Sequence, residues 1–138
     1  MKAAAAPIHV EACFAALCVA LACFALGHAI TPLLGTSARV GIKSLVLAPV
    51  IEEVFFRGVV HARLRASHSA WGRPWAAIAV TALAFGTAHL AVATAAHAAL
   101  VIVPALFIGW IYERTRSLVA CIGLHSVANA FWIGFWSL

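Results

Sequence analysis

The feature that most constrains the fold is a series of apolar stretches, each near the ~20 residues that a membrane-crossing helix needs. These stretches are predicted to be helices at about 12–30, 40–60, 75–93, 98–112 and 118–136. The spacing therefore predicts an all-α fold, a polytopic membrane helix bundle of about five transmembrane helices. We expect one integral-membrane domain over 1–138, with an extra helix at about 12–30 and a core at about 40–138 in which four helices carry the polar motifs.

The composition favours a bilayer as the surroundings of the chain and excludes a nucleic-acid-binding role. Hydrophobic residues make up 65% of the sequence and charged residues only 9%, whereas soluble domains average about 25% charged residues. The formal net charge of +5 does not indicate nucleic acid, because the basic residues stand singly or in pairs between apolar runs. There they act as determinants of membrane topology.

The distribution of basic residues predicts an orientation. With five spans, one side of the membrane receives most of the basic residues: Lys2, Arg63, Arg65, Arg73, Arg114 and Arg116. Only Arg39 and Lys43 fall on the other side. The positive-inside bias then places the amino terminus in the cytoplasm and the carboxyl terminus outside. The run at 12–30 has no small-residue cleavage site after it, which favours a retained helix over a signal peptide.

Charged side chains lie inside the second predicted span, in the stretch LVLAPVIEEVFFRGVVHARL. An ionised residue at the centre of a membrane helix costs about 2.5–3.5 kcal/mol or more, so such residues are expected to converge on one another. Glu53 and Arg57 are four residues apart and share a helix face, whereas Glu52 points about 100° away. Glu53 and Arg57 are therefore predicted to form a supporting ion pair, while Glu52 faces something else.

Other polar groups lie inside the third and fifth spans. Phe85 and His89 are four residues apart, as are His125 and Asn129, so each pair shares a helix face. A glutamate beside a histidine in a dry pocket can hold and deprotonate a water molecule. A second histidine and an asparagine can donate hydrogen bonds to a developing oxyanion. Together these groups predict water attack on an amide inside the membrane.

The motifs E-E-x-x-x-R, F-x-x-x-H and H-x-x-x-N occur in this order on separate spans, at Glu52–Glu53–Arg57, Phe85–His89 and His125–Asn129. Their combination resembles the CPBP family (CAAX proteases and bacteriocin-processing enzymes, also called Abi), which includes the Ras-converting CAAX prenyl endopeptidase. In its short length the chain is more similar to small bacterial members than to the prenyl endopeptidases, which implies a bacterial inner membrane. The resemblance covers about residue 40 to the end.

The resemblance implies an intramembrane glutamic endopeptidase without a metal or other cofactor. By this resemblance, Glu52 and His89 would activate water, His125 and Asn129 would form the oxyanion hole, and Glu53, Arg57 and Phe85 would support the site. The partners it implies are the lipid bilayer and a membrane-anchored or secreted protein or peptide, cleaved near a carboxyl-terminal sorting or CAAX-like tail. It implies no nucleic acid and leaves the oligomeric state open.

Other interpretations of the same residues remain open. A zinc metalloprotease could use Glu52, His89 and His125 as ligands. A cysteine mechanism could use Cys121 with His125 and Asn129, although all three lie along one helical stripe. A non-catalytic binding or immunity protein could hold a ligand between the same side chains. Individually, the histidines and Asn129 are also typical of structural interhelical hydrogen bonds.

The remaining cysteines and histidines are predicted to have no catalytic role. The cysteines form no C-x-x-C, and Cys13, Cys18 and Cys23 rotate around their helix, so they are interpreted as apolar filler. The histidines near span ends are predicted to lie at the membrane interface: His28, His61, His68 and His97. Of these, His61 follows Arg57 by one turn and could also reach the site.

Overall fold

The computed structural model describes residues 41–136, together with Ala38. In this part of the chain, four helices and the turns between them account for the fold, and no strand is present. The all-α prediction is therefore confirmed for residues 41–136. The predicted span at 12–30, with its three cysteines and His28, lies outside the described residues.

The first described helix, α1, runs through residues 43–66 without a break. It alternates between two hydrogen-bonding registers. Lys43–Leu47 and Val54–His61 are π-helical, whereas Ala48–Glu53 and Ala62–Ala66 are α-helical. The prediction ended this span near residue 60, but the helix continues for about one and a half further turns and carries Arg63 and Arg65. π-helical turns occur frequently at functional sites.

The other three helices are connected by short turns. Helix α2 is Pro74–His89, helix α3 is Ala95–Thr115 and helix α4 is Leu118–Trp136. Helix α3 loosens at Val101, where its segments Ala95–Leu100 and Ile102–Thr115 meet. The turn before α3 was predicted to include residues 94–97, but Thr94 caps the helix instead, and its Oγ1 accepts a hydrogen bond from the backbone N–H of His97 at 3.3 Å.

Small residues allow α2 and α3 to pack closely. Ala77, Ala82, Ala98 and Ala105 are almost completely buried. Ala82 and Ala105 form a cluster with the rings of Phe56 and Phe85. Interfaces of this kind are typical of membrane helices, because small residues let the backbones approach. The close approach of α2 and α3 brings His89, at the end of α2, beside the first turn of α3.

The closest approach is at Gly86, and it yields a prediction about stability. A Cβ at Gly86 would lie 2.8 Å from the backbone oxygen of Ala98 and 2.5 Å from Cγ1 of Ile102. The helix backbone cannot yield without separating α2 from α3, so we expect Gly86→Ala to lower the free energy of unfolding by about 1–3 kcal/mol. Urea titration in detergent micelles, followed by tryptophan fluorescence, measures this change.

The matched control is Gly123→Ala in α4. A Cβ there would meet nothing within 4 Å, and alanine is a better helix former than glycine by about 1 kcal/mol. This variant should therefore be as stable as the original chain or more stable. Equal destabilisation by the two substitutions would contradict the close contact at Gly86.

The ends of the helices agree in part with the predicted topology. Arg65, in the last turn of α1, and Arg116, after α3, both contact Glu113, with N–O distances of 2.8 and 2.7 Å. The two basic loops therefore lie at the same end of the bundle, as predicted. Within residues 41–136, only Ala95–Thr115 is long and apolar enough by composition to cross a membrane, and Leu118–Gly134 is apolar but shorter. A five-span membrane bundle stays a prediction.

Candidate active site

The polar residues of α1 and α4 meet in the interior of the bundle. Glu53 is completely buried and Arg57 is 1% exposed. Arg57 Nη1 donates to Glu53 Oε1 at 3.2 Å, and Nε lies 3.1 Å from Oε2 without hydrogen-bonding geometry. Arg57 Nη2 donates to the backbone oxygen of Ala105 at 2.8 Å. The pair therefore forms as the spacing predicted, and it also connects α1 to α3.

His125 lies between the two adjacent glutamates of α1. Its Nδ1 is 2.8 Å from Glu53 Oε1, and its Nε2 is 3.6 Å from Glu52 Oε2. Since an ionised carboxylate only accepts, Nδ1 carries the hydrogen of the bond to Glu53. The side chain of Glu52 is 29% exposed, in contrast to buried Glu53. The two carboxylates therefore differ in surroundings as the helical geometry predicted, and His125 contacts both.

His89, at the end of α2, has its tautomer set by the backbone. Its Nδ1 is 2.9 Å from the carbonyl oxygen of Phe85, which can only accept a hydrogen bond. Nδ1 therefore carries the proton, and Nε2 of the neutral ring keeps its lone pair. His89 is also close enough to Glu52 to act on the charge of that carboxylate. This arrangement gives the cavity a hydrogen-bond acceptor.

Phe85 holds the aromatic contacts of the site together. Its ring packs against His89 with centroids 4.5 Å apart and meets the edge of His125 at 5.6 Å. It also contacts Phe56 at 5.0 Å, and the guanidinium of Arg57 lies 5.6 Å from its centroid. Phe85 is only 4% exposed. Phe85 thus contacts side chains of α1, α2 and α4, and the supporting role that the family resemblance implies for it stays a prediction.

Asn129 contacts the backbone of α1. Its Nδ2 donates to the carbonyl oxygen of Ser44 at 2.8 Å. In the π-helical register, Ala48 N–H bonds to the carbonyl of Lys43, so the next donor, residue 49, would bond to Ser44. Pro49 has no N–H to give. Asn129 therefore satisfies a carbonyl that proline leaves open, and its amide has a second hydrogen to donate.

A cavity of about 380 Å³ opens beside these groups. Its polar lining includes Glu53, Arg57, His89, His125 and Asn129, and its apolar wall comes largely from α3. Six of the seven predicted site residues thus line one space. Glu52 does not line it but lies next to His125, which does. The role assigned to each residue in a reaction stays a prediction.

The structure also shows which candidates lie elsewhere. The thiol of Cys121 is completely buried in an apolar cluster with Ile108 and Tyr112, and its Sγ lies 3.9 Å from the backbone oxygen of Ile108. Cys121 does not line the cavity. Its packing is that of a structural cysteine. In the described part of the chain, no three His, Cys, Asp or Glu side chains form a group that could hold a metal ion.

Two histidines differ from the prediction of interfacial positions. His61 is completely buried, with Nε2 2.7 Å from Glu113 Oε1, and burial lowers its pKa while Glu113 opposes that shift. His61 joins α1 to α3 and does not reach the cavity. His97 lines the cavity, with its ring 5.9 Å from that of His89 between centroids. The sequence analysis missed His97 as a cavity residue because it predicted the start of α3 three residues too late, at 98 instead of Ala95. The position of His97 just across a short turn from His89 was a usable signal.

Acid–base side chains of α1, α2 and α4 surround one cavity, which has an apolar wall. This is the arrangement of an enzyme site in a helical bundle. A family model described as "Type II CAAX prenyl endopeptidase Rce1-like" matches residues 34–131, more than two thirds of the chain. The chain belongs to this family, as the three motifs predicted. Membership in this family implies that the chain is a CAAX endopeptidase, which is a hydrolase. Proteins of this family are membrane-associated. No curated protein and no solved structure matched in the corresponding searches.

Proposed function

We propose that the chain is an intramembrane glutamic endopeptidase that hydrolyses a peptide bond without a metal ion. The observation that carries this proposal is the position of His125 between Glu53 and Glu52, next to the cavity that His89 lines. One glutamate is occupied by Arg57 and buried, while the other is partly exposed and close to two histidines. Two carboxylates in different surroundings are typical of sites in which only one of them reacts.

In this proposal, Glu52 is the base and His89 positions the water. A water molecule next to Glu52 donates one hydrogen bond to the carboxylate and the other to Nε2 of His89, whose lone pair is available because Nδ1 donates to Phe85. As the water oxygen attacks the scissile carbonyl carbon, its proton passes to Glu52. General base catalysis of this kind contributes typically about 10²–10⁴-fold in rate.

The negative charge that develops on the carbonyl oxygen needs donors. In the proposed reaction, His125 donates Nδ1–H to Glu53, and a hydrogen on Nε2 would be directed at the oxyanion. Asn129 can offer the amide hydrogen that Ser44 does not use. Donors already oriented by the protein stabilise such a charge without further reorganisation.

The proposed substrate is a membrane-anchored or secreted protein, cleaved near a carboxyl-terminal sorting or CAAX-like tail. Apolar side chains of α3, among them Leu100, Val103 and Pro104, line the cavity and suit apolar residues beside the scissile bond. The large exposed hydrophobic side chains, such as Val92, Val119 and Phe131, suit contact with lipid. We propose the bacterial inner membrane as the location, with a cytoplasmic amino terminus, and no nucleic-acid partner.

Cleavage by the purified chain in liposomes tests the function. The probes are a fluorogenic farnesylated peptide ending in a CAAX sequence and its unprenylated counterpart, and mass spectrometry locates the cleaved bond. We expect cleavage that is unchanged by a zinc chelator and by a thiol-alkylating reagent, because the proposed chemistry uses neither a metal nor Cys121.

Each other outcome supports a different interpretation. The control for contaminating peptidases is the same purification from cells without the protein, reconstituted in liposomes in the same way. Loss of activity with the chelator, restored by zinc, would favour the metalloprotease, and loss on alkylation would favour the cysteine mechanism. Absence of cleavage for both probes and for a library of membrane-anchored peptides would contradict the proposed function and favour a binding or immunity protein.

A further inference from the structure

His97 is a titratable side chain of the cavity that none of the three motifs includes. It lies in the first turn of α3, partly buried, and its ring lines the same cavity as His89 and His125. The ring centroids of His97 and His89 are 5.9 Å apart, with the planes inclined at 36°. On its other side, His97 meets the ring of Trp132 in an edge-to-face contact at 4.5 Å. His97 is therefore held at the site by aromatic contacts.

The imidazole nitrogens of His97 are not engaged within residues 41–136. The hydrogen bond of this residue comes from its backbone N–H, which donates to Thr94 Oγ1. His89 and His125 differ, since each has a ring nitrogen within 2.9 Å of an oxygen atom. A buried imidazole usually has a partner. An imidazole on a cavity wall without one is available to a molecule that enters the cavity.

Peptide hydrolysis also needs a proton donor for the leaving amine. Glu52 can donate the proton that it takes from the water, and His97 is a second candidate donor because its ring lines the same cavity. Glu52 and His89 act on the attacking water, and His125 acts on the carbonyl oxygen. The amine is a poor leaving group until its nitrogen is protonated, and a scissile bond beside His89 is also within reach of His97, given the 5.9 Å between the rings. We propose that His97 is the general acid that protonates the amine leaving group. This inference rests on the proposed function.

The step balances in atoms and charge. The water oxygen forms a bond to the carbonyl carbon while Glu52 takes its proton. The carbon–nitrogen bond then breaks, its electron pair stays on nitrogen, and the proton of the His97 imidazolium joins that nitrogen. The products are one carboxylic acid and one amine. During product release Glu52 returns its proton to solvent and His97 regains one, so neither oxidant nor reductant is involved.

Two substrates that differ only in the leaving group test this role. One is the farnesylated CAAX peptide, and the other is the same molecule with the scissile –NH– replaced by –O–. An alcohol leaves far more readily than an amine, so ester cleavage depends less on a general acid. We expect His97→Gln to slow amide cleavage by about 10²–10⁴-fold and ester cleavage by less than about tenfold. Exposed His68, changed to glutamine, is the matched control and should slow neither.

A second variant separates proton transfer from packing. His97→Ala removes the ring and its contact with Trp132, so it tests whether a free imidazole can enter the space and restore amide cleavage. Restoration by imidazole, but not by N-methylpyrrole of similar shape, would support the general acid. Equal loss of amide and ester cleavage in His97→Gln, without rescue of His97→Ala, would overturn it and leave His97 a packing residue. If the original chain cleaves neither the amide nor the ester, the proposed function is overturned, and this inference with it.

Discussion

Glu52→Gln is expected to reduce cleavage of a membrane-bound peptide by about 10²–10⁴-fold, the usual contribution of a general base, while the protein stays folded. Glutamine has nearly the same shape but cannot take a proton from water. The side chain of Glu52 is 29% exposed, and its contact with His125 is 3.6 Å long, so little of the packing depends on its charge. The measurement is kcat in liposomes, with circular dichroism to verify that the helices remain.

The control for this variant makes the same chemical change elsewhere. Glu11 lies before the region that the family model matches, and Glu11→Gln should cleave at the original rate. Glu52→Gln with unchanged kcat would show that Glu52 is not the base. The next candidate would then be Glu53, whose ion pair with Arg57 currently assigns it a supporting role.

Arg57→Met is expected to have the largest effect on stability, lowering the free energy of unfolding by about 3–5 kcal/mol. Methionine leaves Glu53 completely buried without its cation, and breaking a buried ion pair from one side typically costs this much. The backbone oxygen of Ala105 also loses the donor that Arg57 Nη2 provides at 2.8 Å. Unfolding by denaturant in detergent micelles, compared with exposed Arg63→Met, measures the difference.

A double variant distinguishes the buried charge from lost packing. Replacing both partners, as in Glu53→Leu with Arg57→Met, removes the uncompensated carboxylate, so we expect it to recover much of the lost stability. The double variant should nevertheless cleave poorly, because His125 loses the acceptor that orients its Nδ1. An Arg57→Met chain as stable as Arg63→Met would contradict a structural role for the pair.

The sequence predicted that these polar side chains would converge, because charged groups in an apolar interior have few ways to be satisfied. The i, i+4 spacing of Glu53 and Arg57 was enough to predict their ion pair, and Glu52 was correctly placed on a different face. The contact between His125 and both glutamates depends on how α4 packs against α1, which spacing within one helix does not contain. It was therefore found only in three dimensions.

Other contacts of the site depend on the hydrogen-bonding register and the exact ends of the helices. The helix propensities of the residues do not determine either. The sequence contains Pro49, but nothing in it indicates that α1 would be π-helical over Lys43–Leu47, just before this proline, and leave the Ser44 carbonyl for Asn129. Likewise, the start of α3 was set by the cap at Thr94, which moved His97 from a predicted turn to the wall of the cavity. An error of three residues in the predicted start of α3 thus decided whether His97 was expected to line the cavity.

The Glu53–Arg57 ion pair and Glu52 together determine the net charge of the site. Glu52, Glu53 and Arg57 would carry a net charge of −1 if all were ionised, in an interior of low polarity that disfavours unbalanced charge. One proton on this cluster brings the sum to zero, and His125, in contact with both carboxylates, is the residue through which that proton can be shared. With that proton, the four side chains would form a neutral unit. In the proposed reaction, the proton that Glu52 takes from water balances the negative charge that develops on the carbonyl oxygen, so the site gains no net charge.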